Sequence, residues 1–362
     1  MVEFQETFRT AMIIILSTVG LALFGIIFGL LYKGVDRKIS AHMQGRIGPP
    51  IRQPFRDVGK LFTKENIVPD NAIPWVFNLA PLLGLVGTIS ILLYLPIGGF
   101  RPLASIEGEI IFGDLILILY LLMIPSLALV IGGFSSGSPY ATVGAQREMA
   151  TMIAYEFPLA IIIITIAWKL GSTATGGLGV ANAFTLTAIT ANPIWNAVGP
   201  LGFIGLILLL VVLIIVTPAE LSKIPFDAPE AETEIGGGLL VEYSGRNLAM
   251  FYLIDAVKTV VMASIIIALF FPYTLSSIFG LVSFSAYIVD FIFFLIKLLI
   301  IIVFSVTLIR VAVARLKIDQ IVYTYWVPLT LIALVGLICI MWDGTMMENY
   351  GWPKIVELFG LI

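Results

Sequence analysis

Apolar runs of membrane-spanning length recur along this chain and are separated by short polar segments. A helix that crosses a bilayer needs about 20 mostly apolar residues. The chain offers eight such runs: 8–32, 75–97, 111–134, 149–169, 200–217, 239–270, 287–312 and 327–342. The sixth run is too long for a perpendicular crossing, so it predicts a tilted or kinked helix. The pattern predicts an all-α polytopic membrane protein in which residues 1–362 form a single integral membrane domain.

A short amphipathic segment follows the first predicted span. The sequence GRIGPPIRQPFRDVGKLFTKE opens with a Gly-Pro-Pro turn, after which apolar residues recur at helical spacing: Phe55, Val58, Leu61 and Phe62. Basic residues lie between them: Arg56, Lys60 and Lys64. This pattern predicts a short helix at the membrane interface. Two interpretations remain open: an anchor on the lipid surface, or a basic platform on which a soluble partner docks through Arg56 and Lys60.

Composition narrows the chemistry that this chain can perform alone. Its mean hydropathy is +1.06, and charged residues make up 12% of the chain. The single cysteine, Cys339, and the single histidine, His42, exclude an intrachain disulfide, a cysteine-ligated iron–sulfur cluster and bis-histidine haem. We therefore expect no cofactor in this chain. The first apolar run lacks a small-residue cleavage site, so we expect a retained transmembrane helix and not a signal peptide.

The distribution of Lys and Arg predicts the orientation. If 33–66 faces the cytoplasm, the loops on that side carry 14 basic residues and the opposite side carries four. Short cytoplasmic loops carry an excess of Lys and Arg. The predicted cytoplasmic docking loops are 33–66, 135–148, 218–238 and 313–326. We therefore expect a multi-pass protein of the cell membrane with both termini outside.

An acidic segment joins the fifth and sixth predicted spans. It reads KIPFDAPEAETEIGGGLLVEYSG, residues 223–245. Pro225 and Pro229 oppose a regular helix, and the fifth helix should end near Thr217 and Pro218. Irregular backbone near membrane depth is tolerated where protein buries it or where it lines a watery cavity. The segment is therefore predicted to form the wall of a chamber, with a solvated acidic loop as the alternative.

Carboxylates continue from this segment into the predicted spans. Four acids belong to this set: Glu156, Glu220, Glu242 and Asp255. Ionisable residues at membrane depth cost at least about 2.5–3.5 kcal/mol each and mark ion or proton pathways. Clustered acids titrate as a coupled set, so the row is a candidate proton relay. Lys258 lies three residues after Asp255, and Lys297 lies seven after Asp290, so each Lys could neutralise the acid or take part in the relay.

Four stretches of this sequence resemble the H-subunit family of respiratory complex I, also called NADH dehydrogenase subunit 1. They are VDRKISAHMQGRIGPPIRQPFRDVGKLFTKE, YATVGAQREMATMIAYE, AELSKIPFDAPEAETEIGGGLLVEYSGRNLAMFYLIDA and ARLKIDQIVYTYW. The resemblance implies an eight-helix membrane subunit that joins a soluble redox arm to a membrane arm. It implies these relay residues: Glu156, Glu220, Glu230, Glu232, Glu234 and Glu242, with Asp255 where the family usually has Glu. Lys258 joins this candidate relay because of its position beside Asp255 in the sixth span. It also implies that Asp227 of the Pro-Phe-Asp motif helps to hold the loop beneath the redox arm, and that Arg37, Arg46 and Arg315 match the family's cytoplasmic arginines. Phe226 and Lys223 are further candidates for loop or docking roles.

Two departures favour a particular branch of this family. Pro50 stands where quinone-reducing members usually have Asn, and Lys223 stands where an Arg is usual. The pattern resembles membrane-bound nickel–iron hydrogenases and related archaeal ferredoxin-oxidising complexes, including a sulfur-reducing relative. This branch implies iron–sulfur and hydrogenase-like soluble subunits, with iron–sulfur clusters and in some members nickel–iron, together with antiporter-like membrane subunits. Protons or Na⁺ would cross the membrane, and no nucleic-acid partner is expected.

Three other functions stay open at this stage. The first is a quinone-reducing complex of the same family. The second is a stand-alone carrier, or a retinal-type pump with a Schiff base on Lys258 or Lys297. The third is a structural anchor for a peripheral enzyme, in which the acids within the membrane could be replaced without loss of ion pumping.

The residues at 50 and 223 predict that the purified complex contains no tightly bound quinone, because the side chains usual in quinone-reducing members are replaced. Solvent extraction followed by chromatography should recover far less than one quinone per complex. Stoichiometric quinone, or inhibition by quinone-site inhibitors, would contradict this prediction.

Overall fold

The computed structural model describes residues 2–98, 115–173, 184–280, 284–350 and 353–354. Its α-helices in these ranges are α1 Val2–Met43, α2 Gln53–Phe62, α3 Pro74–Leu92, α4 Leu115–Ser135, α5 Pro139–Thr173, α6 Leu186–Ala191, α7 Pro200–Glu220, α8 Glu232–Ile235, α9 Gly245–Phe270, α10 Leu275–Phe279, α11 Phe284–Ile302, α12 Leu308–Ala312, α13 Ile318–Thr324 and α14 Thr330–Tyr350. The π-helical turns Val303–Thr307 and Tyr325–Leu329 join α11 to α12 and α13 to α14. Positions 111–114 of the third predicted span, and residues 174–183 and 281–283 of the predicted connections, lie outside the described residues.

Eight helices in the described part of the chain are long and apolar enough to cross a membrane. They are α1, α3, α4, α5, α7, α9, the α11–α12 pair and the α13–α14 pair. The predicted all-α polytopic fold is confirmed. The amphipathic helix is present as α2, with Pro54 and Val58 buried and Phe55 and Phe62 exposed.

Several predicted boundaries are wrong because polar residues continue the helices. Helix α5 begins at Pro139, so most of the predicted loop 135–148 is helical. Helix α1 extends to Met43 and takes up the start of 33–66. Helix α7 continues through Pro218 to Glu220, and α13 begins inside 313–326. A hydropathy pattern cannot find these turns, because it detects only the apolar part of a helix.

The sixth predicted span is shorter than its apolar run. Helix α9 begins at Gly245, since Gly238–Leu240 forms a 3₁₀ turn and Gly245 has a φ of +53°. The extra length that predicted a tilt or kink is therefore not helical. Within its most apolar window 94% of the residues are buried, against 17% for α1. Helix α9 is the central helix of the bundle and packs against α1, α2, α3 and α11.

Helices α1 and α9 approach closely at Gly29. A Cβ atom at this position would collide with the backbone carbonyl of Ala256, whereas one at Gly20 would meet nothing within 4 Å among the described residues. Gly25, one turn before Gly29, also lies against α9 and would meet Val257. The packing of α1 on the central helix therefore depends on the absence of side chains along this stripe.

We expect Gly29→Ala to destabilise the fold by about 1–3 kcal/mol, because the backbones of α1 and α9 must separate. Gly20→Ala is the matched control on the same helix and should not lower stability, because its Cβ meets nothing within 4 Å among the described residues and Ala favours a helix. Reversible unfolding of the full chain in mixed detergent micelles measures both. Equal stability of the two variants would contradict this packing.

Candidate functional site: a charged chamber

The acidic segment between α7 and α9 folds as a series of short turns against α5. It contains the 3₁₀ turn Ala228–Glu230, helix α8 and the 3₁₀ turn Gly238–Leu240. Three successive glycines, Gly236, Gly237 and Gly238, have φ values of +60°, +100° and +54°. Glycine is favoured at such positive φ values because it has no Cβ. A Cβ on Gly238 would collide with the carbonyl of Pro229, and one on Gly144 of α5 would approach the same carbonyl at 2.9 Å. The glycines therefore allow the turns to lie directly on α5.

A pocket lies where this segment meets α4, α7 and α9, and we call it the charged chamber. It encloses about 510 Å³, including its open mouth. Its ionisable lining residues are Glu220, Lys223, Glu230, Asp255 and Lys258. Apolar side chains such as Pro125, Leu129 and Phe251 complete the wall. This geometry agrees with the predicted chamber wall.

Asp255 is shared by two lysines and does not pair with Lys258. Its Oδ2 atom lies 2.5 Å from Nζ of Lys33 and 2.6 Å from Nζ of Lys223. Its Oδ1 atom is buried and has no hydrogen-bond partner among the described residues. Sequence spacing paired Asp255 with Lys258, which is wrong because the side chains reach other helices. Two lysine ammonium groups thus share one carboxylate oxygen.

Glu220 and Lys258 form an ion pair inside the bundle. Nζ of Lys258 lies 2.8 Å from Oε1 of Glu220, and the two side chains are 6% and 2% exposed. Nζ also donates a hydrogen bond of 2.9 Å to Oγ of Ser126, which lies 3.3 Å from the hydroxyl of Tyr155. A continuous set of polar contacts thus runs from α7 through α9 and α4 to α5.

The expected pairing of Asp290 with Lys297 is also wrong. Asp290 accepts hydrogen bonds from the backbone N–H and hydroxyl of Ser276. Lys297 donates to the carbonyls of Phe271 and Tyr273 at 3.0 and 2.9 Å. Residues one or two turns apart can share a helix face, but here α10 and the residues that follow α9 offer each group a closer partner.

Glu148 of α5 is a buried acid behind the chamber lining that sequence reasoning missed. It is 1% exposed, accepts a hydrogen bond of 3.4 Å from Ser222, and interacts electrostatically with Lys258, Glu230 and Glu220. Its Oε1 atom has no hydrogen-bond partner among the described residues. The boundary at residue 149 assigned Glu148 to a loop. Its spacing of seven from Tyr155, which places both on one helical face, was the signal that could have found it.

Glu230 lines the chamber from the turn Ala228–Glu230, outside the membrane-spanning helices, and we call this side of the chamber its mouth. Burial raises the pKa of Glu230 from its ordinary 4.5 to about 7, with the nearby Asp255 adding to the rise and Lys223 opposing it. A carboxyl group with this pKa is part protonated and part ionised at neutral pH. It can therefore accept or release a proton in response to a small change in nearby charge.

Asp227, Phe226 and Arg315 hold the acidic segment in place. Nε of Arg315 lies 2.9 Å from Oδ1 of Asp227. Nη2 of Arg315 donates a hydrogen bond of 3.1 Å to the backbone carbonyl of Asp227. The Phe226 ring packs on Tyr325 with 5.2 Å between ring centroids. Desolvation raises the pKa of Asp227, and the positive charge of Arg315 opposes that rise. These contacts join the segment to the end of α12 and the start of the last span.

The remaining predicted relay acids lie away from the chamber lining. Glu232 and Glu234 are exposed on α8, where Glu234 pairs with Arg147 of α5 at 2.5 Å. Glu242 precedes α9 and is not within a helix, contrary to expectation. Glu156 is partly buried on α5 and interacts electrostatically with Glu220 and Lys258.

Some of the predicted docking residues near α2 are exposed, whereas Arg37 is engaged in an ion pair. Arg37 of α1 pairs with Asp57 of α2 at 3.2 Å. Three other residues are exposed: Arg46, Arg56 and Lys60.

No group of three His, Cys, Asp or Glu side chains suited to a metal occurs among the described residues. The expected location of redox centres in partner chains stays a prediction.

Comparisons with known proteins bear on this arrangement. The family model described as NADH dehydrogenase matches residues 15–341. The H-subunit of the NADH-quinone oxidoreductase of Syntrophotalea carbinolica is 32% identical over 85% of this chain and 90% of its own length. Hydrogenase-4 component C of Escherichia coli is 34% identical over 67% of this chain and 71% of its own length. A chain of the membrane-bound sulfane sulfur reductase, an archaeal respiratory membrane complex, has a TM-score of 0.76 and 28% identity, with 90% of this chain and 99% of that chain covered.

We expect Glu220→Gln to destabilise the fold by about 3–5 kcal/mol, because it leaves the buried Lys258 ammonium without its carboxylate. Glu234→Gln breaks the partly exposed pair with Arg147 and should cost less than about 1 kcal/mol. Reversible unfolding in mixed micelles compares the two.

The double variant Glu220→Gln, Lys258→Met removes both charges and should regain most of the lost stability. If it is no more stable than Glu220→Gln, the ion pair does not account for the loss.

Proposed function

The chain belongs to the NADH dehydrogenase family and is a membrane subunit of a complex I-like complex, and from this premise we propose that it couples electron transfer in a docked soluble arm to ion movement across the membrane. The ion would be H⁺ or Na⁺. The electron carriers would lie in partner subunits, as iron–sulfur clusters and in the hydrogenase type a nickel–iron centre. The complex would be of the ferredoxin-driven type, in the cell membrane, with antiporter-like subunits beside this chain and both termini outside.

The relatives support a role that does not depend on the electron acceptor. Their names refer to a quinone reductase, a hydrogenase and a sulfur reductase. What a membrane subunit of all three can share is the response to electron transfer, not the chemistry of the acceptor. A site that senses charge on one side and contains linked ionisable groups within the bundle suits such a role.

The charged chamber is the observation that carries the proposal. Glu230 lies at the mouth with a pKa of about 7. A charge that arrives within a few Å of a carboxylate changes its pKa by about 1–3 units. Redox chemistry near the acidic segment would therefore change the proton occupancy of Glu230 at neutral pH. This step needs no cofactor within the chain.

Two groups of contacts would pass that change onward. Lys223 contacts Asp255 and interacts electrostatically with Glu230, so ionisation of Glu230 competes with Asp255 for the ammonium. The Glu220–Lys258 pair lies deeper, and its contacts with Ser126 and Tyr155 lead to α5. Since each lysine is shared between acceptors, a proton change at the mouth alters the balance of charge inside the bundle.

The geometry favours the buried acids near the chamber over the exposed acids of α8 as members of the relay. Glu232 and Glu234 are exposed, where water and salt screen their charges. Glu220 and Glu230 line the chamber, and the buried Glu148 interacts electrostatically with both. We therefore propose that these three acids and Asp255 form the coupling site, with Glu156 as the next acid along α5. Arg147 and Arg315 would hold the acidic segment over the chamber.

We expect Glu230→Gln to lower the number of ions moved per electron at least several-fold, because Gln keeps the size of the side chain but cannot titrate. Electron transfer from the soluble arm to an artificial acceptor should persist. The measurement uses the complex reconstituted in vesicles, with ion uptake and electron flux recorded together.

Glu232→Gln is the matched control, since it makes the same change two residues away on an exposed side chain, and it should leave the ratio unchanged. A normal ratio in Glu230→Gln, or an equal loss in Glu232→Gln, would contradict the proposal.

The pH dependence of stability offers a separate check on the titration of Glu230. The native pKa of about 7 exceeds the ordinary 4.5, so Glu230 makes the fold less stable as pH rises through this range, and Glu230→Gln should remove that dependence.

A further inference from the structure

A second pocket lies between α1, α2 and α9, outside the charged chamber, and we call it the basic groove. It encloses about 620 Å³, including its open mouth. Its basic residues are Lys33, Arg37, Lys60 and Lys64. Its apolar residues include Leu30, Val58, Leu61 and Leu248. The groove thus combines a cationic rim with an apolar floor.

The rim has more positive than negative charge. Among the described residues, Asp57 is the only acid that lines this groove, and it pairs with Arg37 at 3.2 Å. Lys33 contacts Asp255. In the part of the chain that the structure describes, neither Lys60 nor Lys64 forms an ion pair, and both are exposed. Two ammonium groups are therefore available to an anion that enters the groove.

Exposed apolar side chains on α1 and α2 lie next to the floor residues along the chain. Leu30 and Val58 are 4% and 8% exposed and belong to one apolar cluster with the first half of α9. On α1 the exposed side chains of Ile27 and Leu31 flank Leu30. On α2 the exposed ring of Phe62 adds apolar surface beside Leu61. Apolar surface thus extends from the floor onto the transmembrane helix α1.

We propose that the basic groove binds the head group of an anionic membrane phospholipid. Lys60 and Lys64 contact the phosphate, and Leu30, Val58 and Leu61 contact the start of an acyl chain. Basic pockets between membrane helices recognise anionic head groups in this way. An acidic protein loop would match the rim but would gain nothing from a floor that leads into the bilayer. The binding of this lipid does not depend on the proposed function.

The groove and the charged chamber share one wall. Tyr252 lines both pockets, and Lys33 lines the groove while its ammonium contacts Asp255 in the chamber. The Lys33 ammonium also lies 5.1 Å from the centroid of the Tyr252 ring. A phosphate in the groove therefore adds a second anion on the outer side of Lys33.

The test is competition between two lipids for the full chain in nanodiscs that contain equal amounts of phosphatidylglycerol and phosphatidylcholine. Native mass spectrometry after release counts the lipids that stay bound. The wild-type chain should retain phosphatidylglycerol selectively. Lys60→Gln, Lys64→Gln should weaken this retention about tenfold or more, because two surface lysines are lost. Lys60→Arg, Lys64→Arg keeps both charges and should retain the lipid.

The matched control is Arg52→Gln, Arg56→Gln, which removes two exposed basic residues at and within α2 that do not line the groove. It should retain the lipid. An equal loss in this control would reduce the effect to general surface charge and overturn the proposal, as would unchanged retention in the Lys60, Lys64 variant. Displacement by excess inorganic phosphate would identify a small-anion site and overturn it also. If the Lys60, Lys64 variant releases the soluble arm from the complex but keeps its lipid, the groove is a protein-docking surface.

Discussion

The ion pair between Glu220 and Lys258 is the interaction on which the arrangement of the bundle depends. Each group is nearly inaccessible to solvent, and either charge alone would cost several kcal/mol at that depth. The pair therefore requires one register of α7 against α9. Ser126 and Tyr155 extend this requirement to α4 and α5 through hydrogen bonds. Four membrane helices are thus positioned by the need to keep one buried ammonium paired.

A second constraint is that the non-helical backbone beside these helices needs hydrogen-bond partners. The acidic segment has turns where a lipid-exposed chain would need a helix. Its polar backbone groups find partners in the protein: the Lys223 N–H donates to Pro218, the Leu316 N–H donates to Pro225, and Arg147 donates to the Ala228 carbonyl. The absence of a side chain at Gly144 allows the segment to lie directly against α5. The segment can therefore hold ionisable side chains over the chamber without unfolding the helices around it.

The same lysines serve more than one anion, which makes the charged regions interdependent. Lys33 and Lys223 both contact Asp255, and Lys223 also acts on Glu230. Lys33 in turn borders the basic groove, where Asp57 is paired with Arg37. A change of charge at the chamber mouth or at the membrane surface therefore acts on a shared set of cations. This shared use is an electrostatic basis for coupling between separate parts of the protein.

The sequence by itself determined the fold class, the number of spans, the amphipathic helix and the family, because membrane thickness dictates the length of apolar runs and because PFDAPEAETE and its neighbouring motifs are specific. It also identified Glu220, Glu230, Asp255 and Lys258 as residues of interest. It could not determine that Asp255 pairs with Lys33 and Lys223, or that Glu232 is exposed. Spacing along a helix identifies neighbours on the same helix, whereas the closest partner of a buried charge belongs here to another helix. Only the packing of α1, α7 and α9 decided which charges meet, because the cost of an unpaired charge is set by the tertiary surroundings.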